Sequence, residues 1–170
     1  MILGSWGGMR KYLEKEMLAG SLQNRVAYDC TMYYAMDGGA TFEVRVDGKT
    51  VKSFSMRTEI KYALHGAKPD GTLEFWKPYE EYRKNTPLDK RQEYDEGEFT
   101  SALKLYRSVS ISEALACPNP IARMFAVLDR RAGKRTLEKL KAAMQEQPEW
   151  LQYFYRLRLT AEKILPDQTS

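Results

Sequence analysis

Residues 118–164, PNPIARMFAVLDRRAGKRTLEKLKAAMQEQPEWLQYFYRLRLTAEKI, decide the fold of this chain. They read as three consecutive helices with definite starts and short joints. Asn119 followed by Pro120 sets a side-chain cap ahead of a proline at the first helical position, where its missing N–H is not needed. Ile121, Met124, Phe125 and Leu128 recur at helical spacing and form the inner stripe. Gly133 ends this helix or opens the link to a second one over 134–146, with Leu137, Leu140 and Met144 inward. Gln147 and Pro148 stop the second helix, and 149–164 forms the third, with Trp150, Leu151, Phe154, Leu157 and Ala161 inward.

Immediately upstream, Phe99, Ala102, Leu103 and Tyr106 make one stripe of a helix over 98–108, and Ser110 caps a short helix, ISEALA, that stops before Pro118. Residues 73–97 are polar and aromatic, with short helical turns expected at 78–83 and 87–93 behind Pro78 and Pro87. Further toward the N-terminus the period changes. Phe42, Val44 and Val46 alternate with Glu43 and Arg45, and Val26, Tyr28, Cys30, Met32 and Tyr34 share one face of a strand over 26–34. MDGGA at 36–40 is a turn, and Asp47-Gly48 is a type I′ hairpin signal, because both central positions of that turn need positive φ. A two-residue turn there pairs Val46 with Lys49, Val44 with Val51 and Glu43 with Lys52. Phe54 and Met56 then fall on the wrong face, which calls for a bulge near Ser53 or a sheet covered on both sides. Met9, Tyr12, Leu13 and Met17 form a helical stripe before the sheet, with Gly20 placed to end it. A short helix over 58–64 and a loop over 67–72 complete the reading. The expectation is an α+β chain: residues 1–66 form a helix with a small antiparallel meander, 67–97 an aromatic polar connector, and 98–170 a helical block packed against it.

The chain has 170 residues, of which 43% are apolar and 29% charged, with a net charge of +4. That is ordinary soluble composition, and the mild basicity is far from the density of a nucleic-acid arm. Two cysteines without CxxC spacing are expected to be reduced thiols of a cytoplasmic protein. No basic segment followed by a long apolar run marks a signal peptide, and no window is apolar enough to span a membrane.

Candidate chemistry is sparse. Arg130, Arg131, Lys134 and Arg135 put four cations within six residues at a helix–helix turn. Such a cluster suits phosphate oxygens or an acidic partner, and equally suits a helix C-terminus with ion pairs to Asp129 and Glu138. Lys139 and Lys141 extend it. Trp76, Tyr79 and Tyr82 in the connector are residue types that gather at interfaces, or that simply fasten the connector to the helices. Glu80, Glu81, Asp95 and Glu96 are the carboxylates open to acid/base work, if one is desolvated. His65 is the only histidine, so neither a metal site nor a triad assembles around it, and both nucleotide-loop glycine patterns are absent. No cofactor is expected.

Aligning Asn119 with Pro148 matches Ala122 to Leu151, Phe125 to Phe154 and Leu128 to Leu157, a period of 29 residues. This block resembles HEAT-type helical repeats, although their period is longer, and a plain helical bundle would give the same text. SLQNRVAY, DGGATFEVRVDGKTVKSFS, FWKPYEEYR, FTSALKLYRSVSISEAL, NPIARMFAVLDRRAGKRTL and QPEWLQYFYRLRLTAE together resemble a family of short bacterial proteins of unknown function. That resemblance implies a bacterial cytoplasmic setting and no particular activity. The sequence is rich in packing and poor in chemistry, so the expected function is a non-enzymatic protein-interaction module with another protein as partner. Nucleic-acid binding through the basic turn is the alternative, and an enzyme using the connector carboxylates the third.

Overall fold

The computed structural model describes residues 5–32, 40–55 and 76–165, with side chains from residue 80 onward in the last segment. The expected helix over 58–64, the loop over 67–72, the turn at 36–39 and His65 lie outside the described residues. The architecture is α+β: an N-terminal helix, a three-stranded antiparallel sheet and a helical block.

Helix α1, Trp6–Lys11, is capped by the Ser5 hydroxyl and runs on as a π-helical segment, Tyr12–Met17, closed by the Leu18 amide donating to the Leu13 carbonyl at 3.0 Å. Met9 and Leu13 are buried as expected. The helix ends before Gly20, not at it: Leu18 is already extended, and Gly20 opens a single 3₁₀ turn. The reason is tertiary. The Ala19 amide donates to the Leu128 carbonyl (2.9 Å) and the Arg130 amide to the Met17 carbonyl (2.7 Å), so the chain leaves the helix to pair with a distant segment.

Strands β1 (Val26–Met32), β2 (Ala40–Val46) and β3 (Lys49–Ser55) form a meander in the order β1-β2-β3. Asp47 (φ 50°) and Gly48 (φ 82°) both take positive φ, as the type I′ turn demands. The bulge lies earlier than expected. Val51 is the extra residue, so Lys52 stands opposite Val44, Glu43 opposite Ser53, and Phe54 opposite Phe42. The expected Glu43–Lys52 and Val44–Val51 pairs are therefore corrected, and one inserted residue returns Phe54 to the buried face. The free edge at β1 is engaged by Glu14, whose carboxylate accepts the Tyr28 amide at 2.8 Å.

The helical part comprises α2 (Trp76–Asn85), α3 (Glu96–Ser108), α4 (Ile111–Ala116), α5 (Pro120–Leu128), α6 (Lys134–Lys139), α7 (Lys141–Gln145) and α8 (Glu149–Ala161). Asp95 with Glu98, and Ser110 with Glu113, close reciprocal capping boxes at the starts of α3 and α4. Asn119 caps α5 by accepting from Ile121 and Ala122 (3.0 and 3.2 Å). In α5 every residue but Arg123 is buried, which is the signature of a helix enclosed on all sides. It packs against α3, α4 and α8. Phe125 is its centre, with ring centroids 6.0 Å from Tyr28, 5.4 Å from Phe99 and 5.4 Å from Tyr106. Phe99 in turn stacks on Phe42 at 4.4 Å, so α3 joins sheet and helices through aromatic rings.

The expected single helix over 134–146 is two, broken at Leu140 (ψ −7°). In an unbroken helix the Leu137 carbonyl would accept from Lys141. Here it accepts the Tyr155 hydroxyl and the Leu140 amide instead. Helix α8 stops at Ala161, short of the expected Ile164. Lys163 takes φ 60°, and the Ile164 and Lys163 amides donate to Leu159 and Thr160 (both 2.9 Å), a Schellman turn built without glycine.

Candidate functional site

The basic turn follows α5 directly, where the chain must leave a buried helix without stranding its last carbonyls. Asp129 supplies the pivot. Its carboxylate is fully buried and accepts from the Arg131 amide (2.7 Å), the Arg131 guanidinium (2.6–3.1 Å) and the Tyr106 hydroxyl. Arg158, almost wholly buried on α8, donates to the carbonyls of Val127 (2.9 Å), Asp129 (2.8 Å) and Ala132 (2.8 Å) and pairs with Glu162 at 2.9 Å. A buried charge persists only when it is paired and its hydrogen-bonding capacity is used, and here both Asp129 and Arg158 meet that condition. Burial, and then the bond to Asp129, hold the Tyr106 phenol above its ordinary range; burial pulls the Arg158 guanidinium down against the opposing pull of Glu162.

Of the four turn cations, the network holds Arg131 and leaves the side chains of Arg130, Lys134 and Arg135 exposed. The ion pair to Asp129 anticipated for this cluster is present. The roles of Arg158, Tyr106 and Glu162 in this network were not anticipated, and Leu157 and Ala161, read as inward, are half-buried against the core. The signal for Arg158 was its spacing: it lies four residues beyond Phe154 and seven beyond Leu151, on the same inward stripe.

Beyond the turn, α6 and α7 carry Lys134, Arg135, Lys139 and Lys141, all exposed, and bury only Leu137 and Met144. Among the described residues neither these cations nor Arg130 form an ion pair. Helix C-terminal complementarity accounts for Arg130 and Arg131, which follow α5, but not for Lys134 and Arg135. Those two occupy the first turn of α6, where the helix dipole favours acids, and Gly133 offers no side-chain cap.

The described part of the connector packs through Tyr82 and Tyr94. Trp76 and Tyr79 lie in α2, their side chains outside the described residues. The Tyr82 hydroxyl oxygen accepts from the Gln92 (2.7 Å) and Glu93 (3.3 Å) amides. Buried Tyr94 donates to the Arg91 carbonyl at 2.6 Å, and its own carbonyl accepts the Ser55 amide at 3.0 Å, tying connector to β3. Lys52 on β3 places its ammonium 5.2 Å from the Trp150 ring, 5.4 Å from Tyr94 and 5.8 Å from Phe54, a cation held over three aromatic faces.

Glu80 and Glu81 are exposed on α2. Asp95 caps α3 and pairs with Arg83 at 3.3 Å, while Arg91 pairs with Glu98. One cleft of about 510 Å³ is lined by Arg83, Arg91, Asp95 and Glu98, among others, and a neighbouring one of about 330 Å³ by Glu80, Arg83, Lys84 and Arg91. Neither brings together two of the four carboxylates Glu80, Glu81, Asp95 and Glu96. Both cysteines are free thiols, and burial raises that of Cys30. Among the described residues no group of His, Cys, Asp or Glu is disposed to hold a metal ion, and no helix is long and apolar enough to cross a membrane.

Fold and turn together define a class: an α+β protein in which a small meander and an enclosed helix share a core, locked by a buried Tyr–Asp–Arg network. The chain belongs to the SF0329 protein family, whose model matches residues 5–159. No curated protein and no solved structure matches it.

Proposed function

We propose that this protein is a non-enzymatic interaction module that engages an acidic protein segment through the cationic ridge of Arg130, Lys134, Arg135, Lys139 and Lys141. One observation carries the reading: Lys134 and Arg135 sit at a helix start where local electrostatics disfavours them, exposed and without an ion pair among the described residues. Lys134 gives the fold only an attraction to the Glu162 carboxylate, longer than an ion pair, so Arg135 is the clearest residue to examine for a partner. For the block itself we favour a bundle around α5 over HEAT-like stacking, since α5 is enclosed on all sides and leaves no open repeat face. The free thiols support a cytoplasmic setting.

The test is a titration of the protein with a fluorescent poly-glutamate peptide at low and high salt. Salt-sensitive binding that disappears in R130E/K134E/R135E supports the reading; binding undiminished in that variant sinks it. Nucleic acid is the second reading, favoured by the length that Lys139 and Lys141 add to the ridge and opposed by the absence of an aromatic side chain among residues 130–141. Tighter binding of a short RNA or DNA than of the peptide, lost in the same variant, would select it.

A further inference from the structure

The face of α7 and α8 away from the aromatic core holds a groove of about 430 Å³. Its floor is apolar, made by Met144 of α7, Tyr155 and Leu159 of α8, and Ile164 and Leu165, which the Schellman turn at Lys163 folds back beside Leu159. Lys141 and Arg156 stand on its rim, exposed and without an ion pair among the described residues. Glu138 is the one carboxylate there, so the rim carries a net positive charge. The Gln152 amide donates to the carbonyls of Gln145 (3.3 Å) and Gln147 (2.9 Å) and thereby braces the end of α7.

An apolar pocket of this size, within the roughly 300–1,000 Å³ of small-ligand sites, lined also by two cations, has the form of a site for one amphiphile. A partner helix fits less well. It needs an apolar collar toward the roughly 800 Å² per side of a stable interface. The exposed large apolar side chains among the described residues are Met32 and Tyr153, and neither lines the groove. We infer that this groove binds a small amphipathic anion, with its chain over Met144, Leu159 and Leu165 and its head group between Lys141 and Arg156. The inference goes beyond the interaction reading and does not depend on it.

The experiment is calorimetric titration of the full chain with octanoate, nonanoate and decanoate below their micelle concentrations, and with decyltrimethylammonium as the charge control. Affinity for the carboxylates should rise about fourfold per methylene, as each buried CH₂ implies. The ammonium amphiphile should bind at least about tenfold more weakly, and K141E/R156E should lose about tenfold for decanoate. In a methyl-labelled sample decanoate should shift the Met144 and Leu165 signals, and R130E/K134E/R135E should bind it as wild type does. No saturable binding, equal affinity for both head-group charges, or shifts confined to other methyls would overturn the proposal. Because both rim residues are exposed, the double variant tests charge without disturbing the core.

Discussion

Helices α5 and α6 are separated by five residues and are opposite in kind. The first has one residue that is not buried; the second has one residue that is. Helix α5 is held by side-chain caps, aromatic rings and the Asp129–Arg158 network, so each of its positions answers to a neighbour. Helix α6 has no side-chain cap and an adverse charge pattern, and its geometry is set by one hydroxyl reaching over from Tyr155. The difference separates stability from the recognition we propose: the packing lies in and around α5, and the exposed cations of α6 and α7 are the surface proposed for a partner. The boundary runs inside the basic turn, with Arg131 on the stability side and Arg130 on the other.

The largest way to break this comparison is in the enclosed half. Phe125→Ala should cost about 3–5 kcal/mol by opening a cavity among Tyr28, Phe99 and Tyr106. Arg158→Ala should cost a similar amount, about 3–5 kcal/mol, because the buried carbonyls of Val127, Asp129 and Ala132 would lose their donor and Glu162 its ion pair. Urea unfolding followed by both far-UV and aromatic signals reads both, and sheet and helices should unfold in one transition. A loss below about 1 kcal/mol for Arg158→Ala would mean the network is ornamental. Next in size, Asn119→Ala removes the acceptor of two α5 amides and should cost about 1 kcal/mol, measured in the same way.

A smaller effect belongs to pH. Burial opposes ionisation of Glu162, but the Ser21 hydroxyl and the Arg158 guanidinium, helped by the charge of Lys134, outweigh it and hold the carboxyl below its ordinary 4.5. A lowered folded value means that the contribution to stability is complete above 4.5 and is lost as pH falls through that lower value. Glu162→Gln should therefore flatten the acid limb of the melting-temperature profile and leave its shape near neutral pH unchanged. The smallest effect sharpens the other half: R130E/K134E/R135E should change stability by no more than about 0.5 kcal/mol. A thermal melt displaced by several degrees would return the ridge to the fold.

What was legible in the sequence follows the same division. The starts of α4 and α5 were readable because Ser110 and Asn119 cap through local hydrogen bonds, while α3 starts at Glu96 behind an Asp95 cap, two residues before the expected 98. The hairpin was readable because Asp47-Gly48 satisfies a backbone need two residues long. Features set by distant partners were not. The early end of the first helix answers to Leu128 and Arg130, the break at Leu140 to Tyr155, and the bulge at Val51 to the rings beneath Phe54. Of the candidate site, the basic cluster and its pairing with Asp129 could be read. The carbonyls that Arg158 satisfies could not, because that arginine lies some thirty residues further along the chain.

The cation held over three rings has a consequence for synthesis. Lys52 and Phe54 leave the ribosome early, and the rings that cover them belong to Tyr94 and Trp150. At about 5–20 residues per second, translation delivers Trp150 roughly 5–20 s after Phe54. Until Trp150 arrives the cover over Phe54 is incomplete, and the lysine two residues away on the same face is a charge that discourages a second hairpin from pairing there. The same side chain that ends half-buried over three rings begins as a guard against aggregation.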